Sequence, residues 1–269
     1  MVNSIVGAIL DLALSPLRDQ SPLLGLILVA AVSTVVMLLI VRATSNQARL
    51  AAVKRSIQAC VYEVRLFGDD AGAILRALGG LLRHNLTYLR LSFVPMVWMA
   101  VPFGLLMVQM DAIYGVAEVA PGRATLVKVV LRDPARPTPV LSASAGVRVE
   151  TPAVWIPSLR EAVWRVSAET AGEYELTVVA GGTAATKRFS TAGGNVRRSP
   201  VRPDGRVLDQ LLHPVERPLP AGSPFESITV NYPSRGIAVF GWEVHWLIVF
   251  LVLSLIFAMA LRSRLGVVL

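Results

Sequence analysis

Three apolar runs divide the chain, at 23–41, 91–114 and roughly 237–261. Each is close to the about 20 mostly apolar residues that a helix needs to cross a bilayer. The stretch between the first two, 42–90, is polar and basic yet strongly patterned. In its first half Leu50, Val53, Ile57, Cys60, Val64 and Phe67 recur at alternating steps of three and four, the seam of a helix that packs on another helix. Gly68-Asp69-Asp70 breaks the pattern, with glycine suited to a helix C-cap and aspartate to the next N-cap. After the break Ala71, Leu75, Leu78, Leu82 and Leu89 continue a similar seam, with Leu86 near its line and Asn85 as a polar interruption. The pattern predicts an antiparallel helical hairpin over 42–90; an ordinary helical spacer is the competing reading.

Outside these runs the pattern changes twice. Over 1–20, Ile5, Ile9 and Leu12 share one helical face and Pro16 ends it, which predicts a short amphipathic helix lying in a membrane interface; a disordered N-terminus competes with it. Over 115–236, short β-rich runs alternate with turn residues, with strands expected at 124–131, 145–149, 162–167, 174–180, 186–189 and 228–232 and turns at Ala171-Gly172 and Gly181-Gly182. Strands at this spacing predict a small β-sandwich. The stretch from Trp164 to Val178 resembles an immunoglobulin-like strand, turn and strand, without the paired cysteines of antibody domains. The Pro-, Gly- and Arg-rich stretch 195–224 is expected to be an extended, partly disordered connection.

Composition supports the membrane reading: 54% of the residues are hydrophobic and only 16% charged, and mean hydropathy is +0.59. Arg42, Arg49, Lys54, Arg55, Arg65, Arg76, Arg83 and Arg90 crowd the segment between the first two runs, and Arg262 and Arg264 follow the third. By the positive-inside rule the hairpin and the tail 262–269 lie in the cytoplasm and the N-terminus outside, in a multi-pass protein of the cell (inner) membrane. The expected architecture is an α-helical membrane protein with three transmembrane helices and a cytoplasmic helical hairpin, plus an extracytoplasmic all-β, immunoglobulin-like sandwich domain. The net charge of +8 and pI near 10.4 are accounted for by basic residues flanking spans, so no nucleic-acid partner is expected. The lipid bilayer is the expected partner.

Candidate chemistry is sparse. Pro95 and Pro102 in the second run each remove a backbone donor and favour a kink. Met96, Met99, Met107 and Met110 lie around them with Trp98, a flexible lining suited to varied apolar ligands or, equally, lipid-facing filler. Phe240, Trp242 and Trp246 form an aromatic belt at the third run, enclosing Glu243 and His245 as an interface polar pair that on a helix would point to different faces. Cys60, the sole cysteine, reads as a buried small hydrophobe and excludes an internal disulfide. His84, His213 and His245 sit on separate segments, and no metal-ligand, phosphate-loop or nucleophile-elbow motif is present, so neither an enzyme nor a cofactor is expected.

The order of outside N-terminus, span, basic hairpin, Pro-containing span, outside segment, span and basic tail resembles the YidC/Oxa membrane insertase superfamily. The likeness is to its short three-span branch of archaeal YidC-like proteins and the related EMC subunit of the endoplasmic reticulum. The residues carrying it are the hairpin, Asn85-Leu86-Thr87 leading to Val94-Pro95-Met96, the run from Trp246 to Ser254, and Arg262 to Gly266. The resemblance implies a protein that assists hydrophobic segments into the bilayer, with a groove that receives them and a hairpin that recruits them. Pro95, Met96, Trp98, Met99 and Pro102 are then the groove candidates, and client membrane proteins the partners. The alternative is a non-catalytic structural or assembly subunit that binds other subunits of a membrane complex through its β-domain.

Overall fold

The computed structural model describes residues 2–18, 20–67, 69–133 and 138–267, with side chains from residue 6 onward. Gly68 at the expected hairpin tip and the side chain of Ile5 lie outside the described residues. The protein combines helices, two of them long and apolar enough to cross a membrane, with an antiparallel β-region. It divides into two compact units, Met1–Gly25 with Leu105–Leu247 and Leu26–Gly104 with Ile248–Leu269.

The helical unit contains most of α2 (Pro22–Thr44), α3 (Gln47–Leu66), most of α4 (Ala71–Met110) and most of α6 (Trp246–Leu261). Asn46 caps α3, its side chain accepting from Arg49 N at 3.0 Å. Asp70 caps α4, its Oδ1 accepting from Gly72 N at 2.8 Å and Ala73 N at 3.1 Å. These caps satisfy orphan donors of the first turn and fix where each arm begins. On α3 the seam is the one the sequence predicts: Leu50 and Cys60 are buried, and Val53, Ile57 and Val64 half-buried, although Phe67 is exposed. On α4 it is not. Leu75, Leu78 and Leu82 are exposed, and the sheltered line runs through Ile74, Ala77, Leu81, His84 and Tyr88. The cause is steric. A Cβ placed on Gly80 would lie 3.2 Å from Cys60 Sγ, so the contact uses small residues on the second arm, and helices approach according to the side chains between them.

Two further boundaries differ from expectation. The second hairpin arm and the second apolar run are one continuous helix, α4, whose 40 residues span about 60 Å at 1.5 Å per residue and include Pro95 and Pro102. The third apolar run is helical only from Trp246; residues before it form a hairpin of β10 (Gly236–Val239) and β11 (Trp242–His245) around Phe240-Gly241, both at positive φ. Short apolar runs satisfy strand and helix periodicity alike, and here the left-handed turn decides for strands. The remaining helix has 16 residues, or about 24 Å.

In the other unit β1 (Ala124–Leu131) lies inside a sheet of order β3-β5-β1-β9-β8, formed with β3 (Val147–Val149), β5 (Glu161–Ala168), β9 (Phe225–Val230) and β8 (Val201–Pro203), while β4 (Val154–Ile156) also pairs with β5. A second sheet has the order β2-β6-β7, from Val140–Ala143, Glu173–Ala180 and Thr183–Ser190. Val127, Val129, Trp164 and Val166 of the first sheet share one core with Leu141, Leu176, Val178 and Phe189 of the second. The Trp164-to-Val178 stretch crosses between sheets, and at its corner Tyr174 Oη donates to Thr170 O at 2.9 Å. The stretch 195–224, expected to be partly disordered, contains β8 and α5 (Val207–Leu212). It is held by polar contacts that hydrophobic periodicity does not reveal.

Helix α1 (Val2–Leu14) docks on this unit, burying Leu10 and Leu14 and exposing Ile9 and Leu12. Its Asp11 pairs with Arg197 at 2.7 Å, and Arg197 Nη2 donates to Gly7 O at 3.1 Å. At the start of α2, Gly25 leaves room for Tyr114: a Cβ there would clash with Tyr114 Oη. We predict that Gly25→Ala destabilises the protein by about 1–3 kcal/mol, the usual cost of overpacking. Adding Tyr114→Phe restores most of the loss, because the clashing hydroxyl is buried without a partner. Thermal unfolding in detergent of the two single variants and the double variant checks this.

Candidate functional site

On α4 the residues turned away from α3 form an unbroken apolar stripe. Leu75, Leu78, Leu82, Leu86, Leu89, Phe93 and Met96 follow one another at steps of three and four, and each is exposed; Leu75 is 71%, Leu82 65%, Phe93 62% and Met96 63% accessible. Residues so spaced share one helix face. With Val97 the stripe runs about 33 Å along the helix. It begins in the basic hairpin and continues into the apolar half of α4 without a break, because both lie on one helix. Trp98 and Val101 widen it there.

Of the expected groove residues only Met96 lies in this stripe, with Trp98 beside it. Met96, Trp98 and Pro102 are exposed, Met99 is half-buried, and Pro95 is buried in line with Ala77, five turns along the sheltered side. Leu75, Leu78 and Leu82, expected inside the hairpin, instead belong to the exposed stripe. The heptad pattern is thus real on both arms but serves two surfaces, and apolar periodicity alone does not distinguish a leucine line from the small-residue line beside it. Beside the stripe, Arg49 of α3 and Arg83, Arg90, Leu86, Leu91 and Val94 of α4 line a cavity of about 700 Å³.

In the β-containing unit several buried polar side chains tie distant segments together. Asn195 Nδ2 donates to Leu17 O and Gln20 O at 3.0 and 3.1 Å, while its Oδ1 accepts from Arg235 Nη2 at 3.1 Å. Arg235 also donates to Ile113 O at 3.2 Å, and the buried Arg198 donates to Ala192 O at 2.6 Å and pairs with Glu118 at 3.3 Å. Burial lowers the Arg198 pKa from its ordinary value, against the opposing pull of Glu118. Trp246, expected in an aromatic belt, is buried and donates from Nε1 to Asp111 Oδ1 at 3.3 Å. Asp111 opens a wide helical turn, Asp111–Gly115, that ends α4. No sequence motif marks these residues, because most of the partners lie far away along the chain.

Glu243 and His245 sit on β11, not on a helix, so they share one strand face. Both are exposed, and His245 Nδ1 accepts from Leu247 N at 3.2 Å, a helix-capping contact. Among the described residues no group of three His, Cys, Asp or Glu side chains is placed to hold a metal ion. No family model, curated protein or solved structure matches the chain significantly.

One buried ion pair secures the 195–224 strap to β7. Lys187 Nζ donates to Glu216 Oε2 at 2.8 Å and to Ser199 O at 2.5 Å, and Glu216 Oε1 accepts from Arg188 N at 2.7 Å. Burial lowers the Lys187 pKa to about 8, opposed by the nearby Glu216 carboxylate. Between that value and 10.5 the unfolded chain holds a proton that the folded one has released, so this group makes stability rise with pH across that window. Lys187→Met leaves the Glu216 carboxylate, 5% exposed, without its cation and costs about 3–5 kcal/mol. Adding Glu216→Gln recovers most of the loss. Chemical unfolding followed by far-ultraviolet circular dichroism measures both effects.

Proposed function

We propose that this protein is an insertase- or chaperone-like membrane protein that guides hydrophobic segments of other membrane proteins into the bilayer. The observation that carries this reading is the exposed stripe of α4, continuous from the hairpin into the apolar half of the helix. A hairpin serving only as a spacer has no need of a leucine row facing solvent, since a contiguous exposed apolar patch marks an interaction surface. A client helix laid against Leu75 to Leu89 keeps its apolar face covered, and the same stripe leads it towards Phe93 and Met96. Moving the polar flanks of such a segment across a bilayer is otherwise costly. The resemblance to the YidC/Oxa superfamily points the same way.

In this reading α2, α4 and α6 are three spans. The arginines around 42–90 and after Leu261 support an orientation with the hairpin and C-terminus in the cytoplasm and the N-terminus outside. The short α6 is accommodated by local bilayer thinning, as for other spans below the hydrocarbon thickness. The β-domain is an immunoglobulin-like sandwich on the outer side. Its sheet orders, with β6 between β2 and β7 and β5 between β3 and β1, and the tyrosine corner at Tyr174, support that assignment. The protein acts on its clients without catalysing a reaction or carrying a cofactor.

A second reading, an assembly subunit whose β-domain holds a partner protein, draws on the outer face of the short edge strand β2, where Val140 is 66% exposed beside the exposed Val179. Photo-crosslinkers introduced singly at Leu82, Phe93 and Met96 separate the two. The insertase reading expects each to capture nascent membrane proteins, while a probe at Glu63 on the exposed side of α3 captures none. Crosslinks to lipid alone, or equal capture at Glu63, refute it.

A further inference from the structure

The cavity between the first turns of α3 and the middle of α4 shares Leu82 and Leu86 with the exposed stripe, but its charged wall has no part in that stripe. Arg49, Arg83 and Arg90 line it, with Leu86, Leu91 and Val94 as its apolar side and no carboxylate in its wall. Among the described residues none of the three arginines makes an ion pair. Elsewhere the chain spends its acidic side chains on arginines and lysine, as at Asp11, Glu118, Asp204 and Glu216. Here three cations converge on one volume of about 700 Å³ and no acid joins them. An anion entering this volume meets three guanidinium groups and no competing carboxylate.

The geometry selects the anion. Arg83 and Arg90 are seven residues apart, two helical turns or about 10 Å, and point from one side of α4, while Arg49 comes from the other helix. Guanidinium groups bind phosphate oxygens in pairs through fixed N–H forks, a match that a single ammonium lacks. The apolar side of the cavity then excludes a bare phosphate as the best-fitting occupant. Leu91 and Val94 open the apolar run of α4, and Arg49 follows closely on the end of α2, so charged and apolar walls meet at the level where lipid headgroups meet acyl chains.

We propose that this cavity binds the phosphate headgroup of an anionic phospholipid, with Arg49, Arg83 and Arg90 on the phosphate and Leu86, Leu91 and Val94 along the first methylenes of an acyl chain. The bound lipid neutralises the foot of the hairpin and ties the two arms to the membrane surface. The proposal rests on the membrane orientation given above but not on client handling, and its test contains no client.

Full-length protein in neutral detergent is titrated with dihexanoyl phosphatidylglycerol, dihexanoyl phosphatidylcholine and inorganic phosphate, with bound species counted by native mass spectrometry. We expect phosphatidylglycerol to bind at least tenfold more tightly than phosphatidylcholine, and inorganic phosphate not to displace it. The combined variant Arg49→Gln, Arg83→Gln and Arg90→Gln is expected to lose the preference, while Arg76→Gln, one heptad outside the cavity, keeps it. Arg83→Gln alone, with helix content checked by circular dichroism, is expected to weaken the preference severalfold and guards against misfolding of the combined variant. Equal binding of the two lipids, or a preference unchanged by the arginine substitutions, overturns the proposal. Displacement by equimolar phosphate assigns the site to a free anion, and preferential displacement by a short acidic apolar peptide assigns it to a protein segment; either result also overturns it.

Discussion

The contact between Cys60 and Gly80 decides what the outer surface of the hairpin is. Helices close on one another only as far as the side chains between them allow, and on α4 the line through Ala77 and Gly80 allows the closer approach. With Gly80 set against Cys60 and Ala77 buried, this line is the sheltered side of α4. Leu75, Leu78 and Leu82 must point outward, and the arginines at 76, 83 and 90 fall beside them. Because α4 continues as one helix, the same rotation carries Leu89, Phe93 and Met96 onto the same exposed face. The placement of two small residues thereby sets the orientation of a surface about 33 Å long.

The β-containing unit is organised by a different force. Its core is ordinary, two sheets sharing a Val-, Leu- and aromatic-rich interior around Val127, Trp164 and Leu176. Its polar attachments are not. Asn195, Arg198 and Arg235 supply hydrogen bonds to carbonyls at Leu17, Gln20, Ile113 and Ala192, groups that loops and helix ends leave unsatisfied. Buried carbonyls without donors are costly, so these side chains hold the segments before α2 and after α4 as firmly as apolar packing would. The Lys187–Glu216 pair does the same for the strap between β7 and β9.

Much of this architecture was legible in the sequence where periodicity is long. The strand at 124–131, the seam of α3 and the capping role of Asp70 follow from alternation, heptad spacing and a cap residue. Three features escaped. The leucine line of α4 reads as a core seam because hydrophobicity does not register that Ala77 and Gly80 pack more closely. Residues 237–245 read as the start of a span because Ile, Val, Phe and Trp suit both a strand and a membrane helix, and only the positive φ angles at Phe240 and Gly241 separate them. The strap over 195–224 reads as extended and partly disordered because its order comes from ion pairs with residues far along the chain, which composition cannot pair. The three-arginine cavity was half visible: Arg83 and Arg90 stand at heptad spacing, but Arg49 joins them only once the arms are folded together.

The central claim is that α4 turns its leucine line outward and carries it without interruption from the hairpin into the apolar half of the helix. A nitroxide scan tests it most directly, with single cysteines from residue 74 to residue 97 in a near-isosteric Cys60→Ser background, reconstituted in vesicles and read by electron paramagnetic resonance. The account predicts mobile, accessible labels at 75, 78, 82, 86 and 89 and immobilised ones at 77 and 81, with the same helical phase continuing to 93 and 96 as accessibility shifts from the aqueous relaxant to oxygen. Immobilised labels at 75, 78 and 82 with mobile ones at 77 and 81, or a loss of phase between 89 and 93, would contradict it.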